Sequence, residues 1–476
     1  MRIEKRNFKT MKRTLMALAC AVASVAVSAQ QEDSIEMSIA DRPTNFKRER
    51  TSYDDSFEKW RIGGYGEMNY THMDYAKNRY TGAAYGNARD DRSAVAIPRF
   101  VLSGDYKFNK WWQLGAEIEF ESGGTGVAAE VEAGSGSENG EVEIEYEKGG
   151  EVALEQFHVT ATILREFNVR AGHLIVPVGL LNEHHEPLNF FGTKRPEGEC
   201  AIIPTTWHET GAEVFGRVGK GWYDFTYQAQ VVAGLTVDGF NMYNFVSDAS
   251  QRLFEEDVFT APAYVGRVNY NGIPGLRIGG SVYYLDDAGK NSRKPYYYTK
   301  YKVDVLVYSA DLEYKHKYFI VRGNYLQGEI GDYDKLTSAN VGLLAKSGST
   351  ELYSGKTPIA SKALTYGGEL GVNVGRIVSD AFALKKTLAI YPFVHYEYYN
   401  PFYKGTKNAM ASVARRQEVS AWTVGVNWKP MASLVLKADW TMRHIGTQHV
   451  FRDNGGYNSE NDFSIGIAYA GWFGKR

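Results

Sequence analysis

Almost nothing in this 476-residue chain suits a helical or disulfide-held protein. It has two cysteines, Cys20 and Cys200. Cys20 falls in an N-terminal leader, so the processed chain keeps one thiol and forms no internal disulfide. Beyond that leader there is no apolar run near the roughly 20 residues that a membrane-crossing helix needs. Apolar spacing of helical period is almost absent, which argues against the amphipathic helices a soluble chain of this length would normally carry. There is no basic excess: 54 Lys and Arg face 56 Asp and Glu, a formal charge of −2. That balance gives no electrostatic footprint for nucleic acid. Proline is scarce, at 13 residues, so few positions interrupt backbone pairing. What the chain has in quantity is glycine (49) and tyrosine (33), with 14% aromatics at a mean hydropathy of −0.38.

Residues 1–29 read as a Sec-type signal peptide. Arg2, Lys5, Arg6, Lys9, Lys12 and Arg13 form the basic head, and Leu15 to Val27 the apolar stretch. Val27, Ser28 and Ala29 supply the small-residue end. Lipoprotein cleavage at Cys20 is rejected, because Leu18 and Ala19 fit it poorly and half of the apolar run would stay behind. Signal cleavage removes six basic residues and one acidic, so 48 basic face 55 acidic residues and the processed chain carries −7. Residues 30–58 are polar without a clear period and read as a short extension. Residues 59–476 read as one domain.

From Lys59 onward, segments of about ten residues alternate apolar and polar positions between Gly-, Asn-, Asp- and Lys-rich breaks. Side chains on a strand alternate faces with period two. In 221–235, Tyr223, Phe225, Tyr227, Ala229, Val231, Ala233 and Leu235 oppose Asp224, Thr226, Gln228 and Gln230. In 433–444, Leu434, Leu436, Ala438, Trp440 and Met442 oppose Lys437, Asp439, Thr441 and Arg443. In 112–121, Leu114, Ala116, Ile118 and Phe120 oppose Gln113, Glu117, Glu119 and Glu121. A Lys or Arg facing lipid at mid-membrane costs roughly 2–4 kcal/mol, so the ionisable face must point inward, into water. Glu117, Glu119, Arg170, Arg217, Lys437 and Arg443 are therefore expected to line a lumen.

Segments start near residues 59, 94, 112, 152, 167, 209, 222, 263, 276, 303, 318, 364, 387, 417, 433 and 462, which predicts about sixteen strands. Barrels of 16–18 strands leave an aqueous channel. Trp60, Trp111, Trp112, Trp222, Trp422, Trp428, Trp472 and Phe473 stand at segment ends, as interfacial aromatic girdles do. The pairs Gly63-Gly64 and Gly367-Gly368 lie inside strand patterns and read as bulges or close packing. The last segment alternates Phe463, Ile465, Ile467, Tyr469, Gly471 and Phe473, like the assembly signal of outer-membrane barrels, with Gly474, Lys475 and Arg476 trailing beyond it.

Three connections read as long. Residues 122–150 carry Glu130, Glu132, Glu138, Glu141, Glu143, Glu145 and Glu147, a like-charge run that suits a solvated loop. Glu141, Glu143 and Glu145 also alternate with Val142, Ile144 and Tyr146, which would suit strands prolonged above the membrane. Residues 176–207 contain too many aliphatic and aromatic residues for disorder. They are expected to fold into the lumen and narrow it, with packing against a neighbouring subunit as the alternative. Residues 333–362 read as an exposed loop.

The residues Arg170, Gly172, Pro177 and Gly179, then Arg195, Pro196 and Glu197, then Ile203, Pro204, Thr205, Thr206 and Trp207, and finally Gly211 make a pattern. It resembles the phosphate-selective porin O and P family, in the form found in Bacteroidota, over about a tenth of the chain. The resemblance implies a sixteen-stranded homotrimeric barrel with inward-folded loops at a constriction, and anion preference through lumen Arg and Lys. Arg170 matches the family's strand arginine before the glycine, and Lys194 and Arg195 fall in the constriction loop. The polar faces offer Arg99, Arg217, Arg267, Arg277 and Arg322 beside Glu117, Glu119, Glu155 and Glu213, so the residues leave the sign of selectivity open.

The expected fold is thus all-β: a transmembrane antiparallel β-barrel of about 16 strands with an aqueous lumen, in the bacterial outer membrane, with residues 30–58 periplasmic. The expected function is a porin for small hydrophilic solutes or inorganic anions such as phosphate. Its partners are outer-membrane lipids and its own copies in a trimer. Alternatives are a barrel adhesin and a secreted carbohydrate-binding β-sandwich. No GxSxG elbow or local triad supports an enzyme, and no cofactor is expected. Glu183, His184, His185 and Glu186, with His208 and Glu209, are not expected to bind metal, because adjacent histidines on an extended chain point apart and no HExxH helix is present.

Overall fold

A computed structural model describes residues 57–75, 90–124, 127–132, 143–148, 150–251, 257–293, 295–298, 300–347, 357–384, 389–412, 417–446 and 459–476. The expected signal peptide, and the expected extension up to residue 56, lie outside the described residues.

The strands are β1 (Trp60–Tyr75), β2 (Asp90–Lys107), β3 (Trp112–Glu121), β4 (Val127–Glu132), β5 (Glu143–Lys148), β6 (Glu151–Thr162), β7 (Asn168–Ile175), β8 (His208–Val218) and β9 (Phe225–Ala233). They continue as β10 (Pro262–Tyr270), β11 (Leu276–Leu285), β12 (Val305–His316), β13 (Phe319–Ile330), β14 (Lys362–Val372), β15 (Ala389–Lys404), β16 (Val419–Met431), β17 (Leu434–Ile445) and β18 (Ser459–Lys475). β4 and β5 form a separate two-stranded sheet, and the other sixteen close one barrel in chain order, with β3 beside β6. Every neighbouring pair is antiparallel. β1 meets β18 from Arg61↔Lys475 to Tyr75↔Glu460, which closes the cylinder and excludes a β-sandwich. All sixteen strands begin within four residues of the starts read from alternation.

Both termini of the barrel lie at one end, where Arg476 N donates to the Trp60 carbonyl at 2.8 Å. Connections at that end are short, such as 317–318 and 432–433, except for 373–388, which carries the helix Val374–Ala381. At the far end the connections are long. Beyond those expected, 234–261 and 286–304 are long as well.

The wall follows the period of two. On β17, Leu436, Trp440 and Met442 are exposed while Lys437, Asp439, Thr441 and Arg443 are buried. The outer face carries a continuous array of exposed Val, Ile, Leu, Phe, Tyr and Trp, including Trp60, Trp111, Trp112, Trp222, Trp422, Trp428 and Phe473. So large an apolar surface needs a lipid-like surrounding. Trp472, expected in the girdle, is one step out of phase with Phe473. It turns inward under the Arg61 guanidinium, 4.1 Å from its ring centre. The pairing of β1 with β18 shifts register between Ile62 and Gly63, a bulge at the first glycine pair.

Two expectations about connections change. The alternation at 143–148 builds the β4–β5 hairpin instead of prolonging β3 and β6. The described parts of 333–362 are not an exposed loop: they hold the helix Tyr333–Ser347, and Leu336, Ile359 and Ala360 are at most 1% exposed. These three complete an apolar core at the far end with Val176, Val178, Ile202, Ile203 and Trp207 of one connection and Leu235, Phe240 and Phe245 of another. These three connections therefore fold onto one another and onto the wall residues Tyr283, Val305 and Leu326, with Ala288 and Val303 of 286–304 joining them.

Candidate functional site

The segment between β7 and β8, residues 176–207, crosses the interior. Its two ends stay together: Val176 N donates to the Trp207 carbonyl at 2.8 Å, extending the β7–β8 ladder. Asn182, 1% exposed, ties the base of the segment. Its Nδ2 donates to the Val178 carbonyl at 2.9 Å and its Oδ1 accepts from Trp207 N at 2.8 Å. Trp207 is fully buried, with its ring centre 4.6 Å from that of Tyr283. Gly179 occupies the left-handed region at φ +84°, and a Cβ there would stand 2.4 Å from a Glu199 carboxylate oxygen. Only glycine meets both demands.

Glu199 closes the turn over Gly179. Its carboxylate accepts from Leu180 N at 2.9 Å, Leu181 N at 2.8 Å and Asn324 Nδ2 at 2.7 Å. Burial pushes this carboxyl above the usual glutamate range, opposed by those three donors.

The segment is fastened to the wall by charge. Arg267, 1% exposed, holds Asp311 with two bonds of 2.9 and 2.8 Å, reaches Glu183 at 2.9 Å, and donates to the Gly179 carbonyl at 2.9 Å. Lys437 Nζ donates to the carbonyls of Pro187, Phe190 and Gly192 at 2.6, 2.9 and 2.7 Å. Asp439 accepts from Thr193 N and Oγ1, and Glu397 from Glu197 N and Gly198 N. Arg443 joins Glu197 to Asp462. A buried ion costs several kcal/mol in lost hydration, and here segment carbonyls, amides and carboxylates replace the water.

Between this segment and β14–β17 lies a pocket of about 400 Å³, lined by residues 192–197 with Glu369, His395, Glu397, Thr423, Asp439, Thr441 and Arg443. A second space of about 380 Å³ lies beside Leu180, Leu181, His184 and Phe190. The two share Pro196, Glu369 and His395, so the free volume continues along the segment.

No family model matches the chain. An uncharacterized protein of Aquifex aeolicus (strain VF5) is 25% identical over 386 residues, covering 80% of this chain and 74% of that protein. Among solved structures, the outer membrane channel DcaP of Acinetobacter baumannii is 11% identical, with 88% of this chain and 98% of that one covered at a TM-score of 0.46. The anion-selective porin from Comamonas acidovorans is 11% identical over 86% and 99% at 0.46. Salmonella typhi OmpF is 8% identical over 88% and 99% at 0.49. All three lie below a TM-score of 0.5.

The predicted site residues fall into three groups. Lys194 and Arg195 both line the pocket. Lys194 pairs with Asp462 at 3.2 Å and keeps about a third of its side chain in water, while Arg195 folds back onto the Thr205 carbonyl and Thr206 Oγ1. Glu117, Glu119, Arg170, Lys437 and Arg443 face inward but are at most 8% exposed, enclosed by partners. Arg170, for instance, pairs with Glu213 at 2.9 Å. Arg217 stands near the terminal end, 39% exposed, and its guanidinium holds the Asp224 carboxyl below the usual aspartate range. Asn182, Glu199, Asp311, Glu397 and Asp439 escaped the sequence reading as site residues. Inward alternation marked Asp439, but nothing local marked its partner.

Proposed function

We propose that the chain is a channel of the bacterial outer membrane that passes small hydrophilic solutes by diffusion, through the gap beside residues 192–197. The observation that carries this is the closed wall, apolar outside and ionisable inside, crossed by one inward segment that leaves charged free volume at its edge. The short-turn end that holds both termini is the periplasmic one, and the long connections face outward.

Selectivity is set where the path is narrow, because charges elsewhere are screened within about 8–10 Å at physiological salt. The pocket brings Lys194, Arg195 and Arg443 together with Glu197, Glu369, Glu397 and Asp439. Arg443 is balanced by Glu197 and Asp462, and Glu369 by Arg322. Lys194, which shares the Asp462 carboxylate with Arg443, and Arg195 then favour anions, inorganic phosphate among them, while Glu397 and Asp439 oppose them. A weak preference is the expected result. The porin O and P resemblance also implies a homotrimer, to be checked by cross-linking in detergent.

The test is planar-bilayer conductance across a salt gradient. Charge reversal by Lys194→Glu with Arg195→Glu should move the reversal potential towards cations. A reversal potential indifferent to both changes would remove the constriction. Purified, folded protein that inserts without conducting would favour the adhesin reading.

A further inference from the structure

The inner wall at β3 and β6 holds a group of side chains that the channel reading does not use. Glu117 on β3, Glu155 on β6 and His185 on the inward segment each present a ligand atom, all within 4.8 Å of one another. They are 2%, 0% and 6% exposed. Glu119 lies two residues from Glu117, on the same face. Glu155 Oε1 and Glu119 Oε1 are buried and meet no N–H donor, and the two carboxyls lie within hydrogen-bond reach of each other. The guanidinium in this region, Arg99, gives Nε to Glu67 at 2.9 Å and Nη2 to the His185 carbonyl at 3.0 Å. Carboxylates this deep are either protonated, paired or bound to a cation.

We propose that Glu117, Glu155 and His185 bind a divalent first-row cation of the Zn²⁺ type, which staples the inward segment to β3 and β6. An imidazole with two carboxylates suits such an ion better than Mg²⁺ or Ca²⁺, which take oxygen ligands alone. Three protein ligands leave a fourth position for water. The surrounding contacts have the form that supports a metal site. His185 Nδ1 lies 3.3 Å from the Asn182 carbonyl, which assigns the proton to Nδ1 and the lone pair to Nε2. The ligating carboxylates are oriented in turn: Ser103 Oγ donates to Glu117 at 2.8 Å, Gln156 Nε2 donates to its other oxygen, and Tyr65 OH donates to Glu155 Oε2 at 3.2 Å. The adjacent histidines part company, although they sit in a turn, not an extended stretch, with His184 N bonded to the Leu181 carbonyl at 2.9 Å. His184 Nδ1 turns to the Leu180 carbonyl, and the ligands that join His185 come from strands 30 or more residues earlier.

The experiment uses the full barrel in detergent, stripped with a chelator and then dialysed against zinc chloride. Zinc is counted by mass spectrometry, and the heat-dependent shift of the folded band on a denaturing gel verifies folding. Wild type should keep one zinc per chain, Glu155→Gln and His185→Ala should keep almost none, and Tyr65→Phe, which spares every ligand, should bind zinc about tenfold more weakly. Zinc should also raise the thermal midpoint of the wild type and leave that of Glu155→Gln unchanged. Folded wild type that retains no more zinc than Glu155→Gln would overturn the site and assign a proton to the carboxylates. Zinc counting needs no transport, so this result and the conductance result stand or fall separately.

Discussion

The base and the middle of the inward segment are held by opposite physics. Its base, Val176, Val178, Ile202, Ile203 and Trp207, is buried in an apolar core with the neighbouring connections. Its middle, residues 183–199, meets the wall through Arg267, Lys437, Asp439, Glu397 and Arg443. Apolar burial is strong and non-directional, so the base resists displacement but does not dictate where the middle lies. Charge-assisted hydrogen bonds are directional, and they fix how far the segment stands from β14–β17. Stability is therefore expected to reside at the base and the width of the gap in the middle.

The largest expected effect comes from Trp207→Ala. It empties a fully buried site against Tyr283 and should cost about 3–5 kcal/mol in thermal unfolding. If the midpoint falls little while conductance changes sharply, base and middle are not separable in this way. Next is Lys437→Met, which leaves three carbonyls without their ammonium and should cost about 2–3 kcal/mol. Its sharper readout is single-channel conductance, expected to rise as residues 187–192 loosen. An unchanged conductance would place the narrow point elsewhere.

The smallest effect is a pH dependence at the junction of the two regions. Burial raises the Glu199 carboxyl, so the folded segment holds that proton more readily than the unfolded chain. Its contribution is fully present below the ordinary glutamate value and is lost as pH rises through the raised one. Protease nicking after Lys194 should therefore become easier from acid towards neutral pH, and Glu199→Gln should flatten that trend. A slope that survives Glu199→Gln belongs to another group.

Much of the wall was legible because a strand's period is short and its faces differ chemically. Leu436, Lys437, Ala438 and Asp439 announce their directions within four residues. The inward path of 176–207 was legible from its apolar content, which had to be buried somewhere. Residues 333–362 were misread because Leu336, Ile359 and Ala360 are scattered among polar neighbours, and their burial depends on connections far away in the chain. The Glu183 to Glu186 string makes no local chelator, as its adjacent histidines suggest. Its one useful ligand, His185, finds partners only across the lumen.

Composition and alternation determined by themselves that the chain closes as a barrel, where its strands begin, and which side chains turn inward. They did so because lipid and water sort neighbouring residues regardless of what stands opposite. Only the tertiary structure decided what the inward charges meet. Lys437 reaches a carbonyl 250 residues earlier, at Pro187. Alternation assigns a side chain its direction, whereas its partner depends on how a distant segment folds across the space the wall encloses.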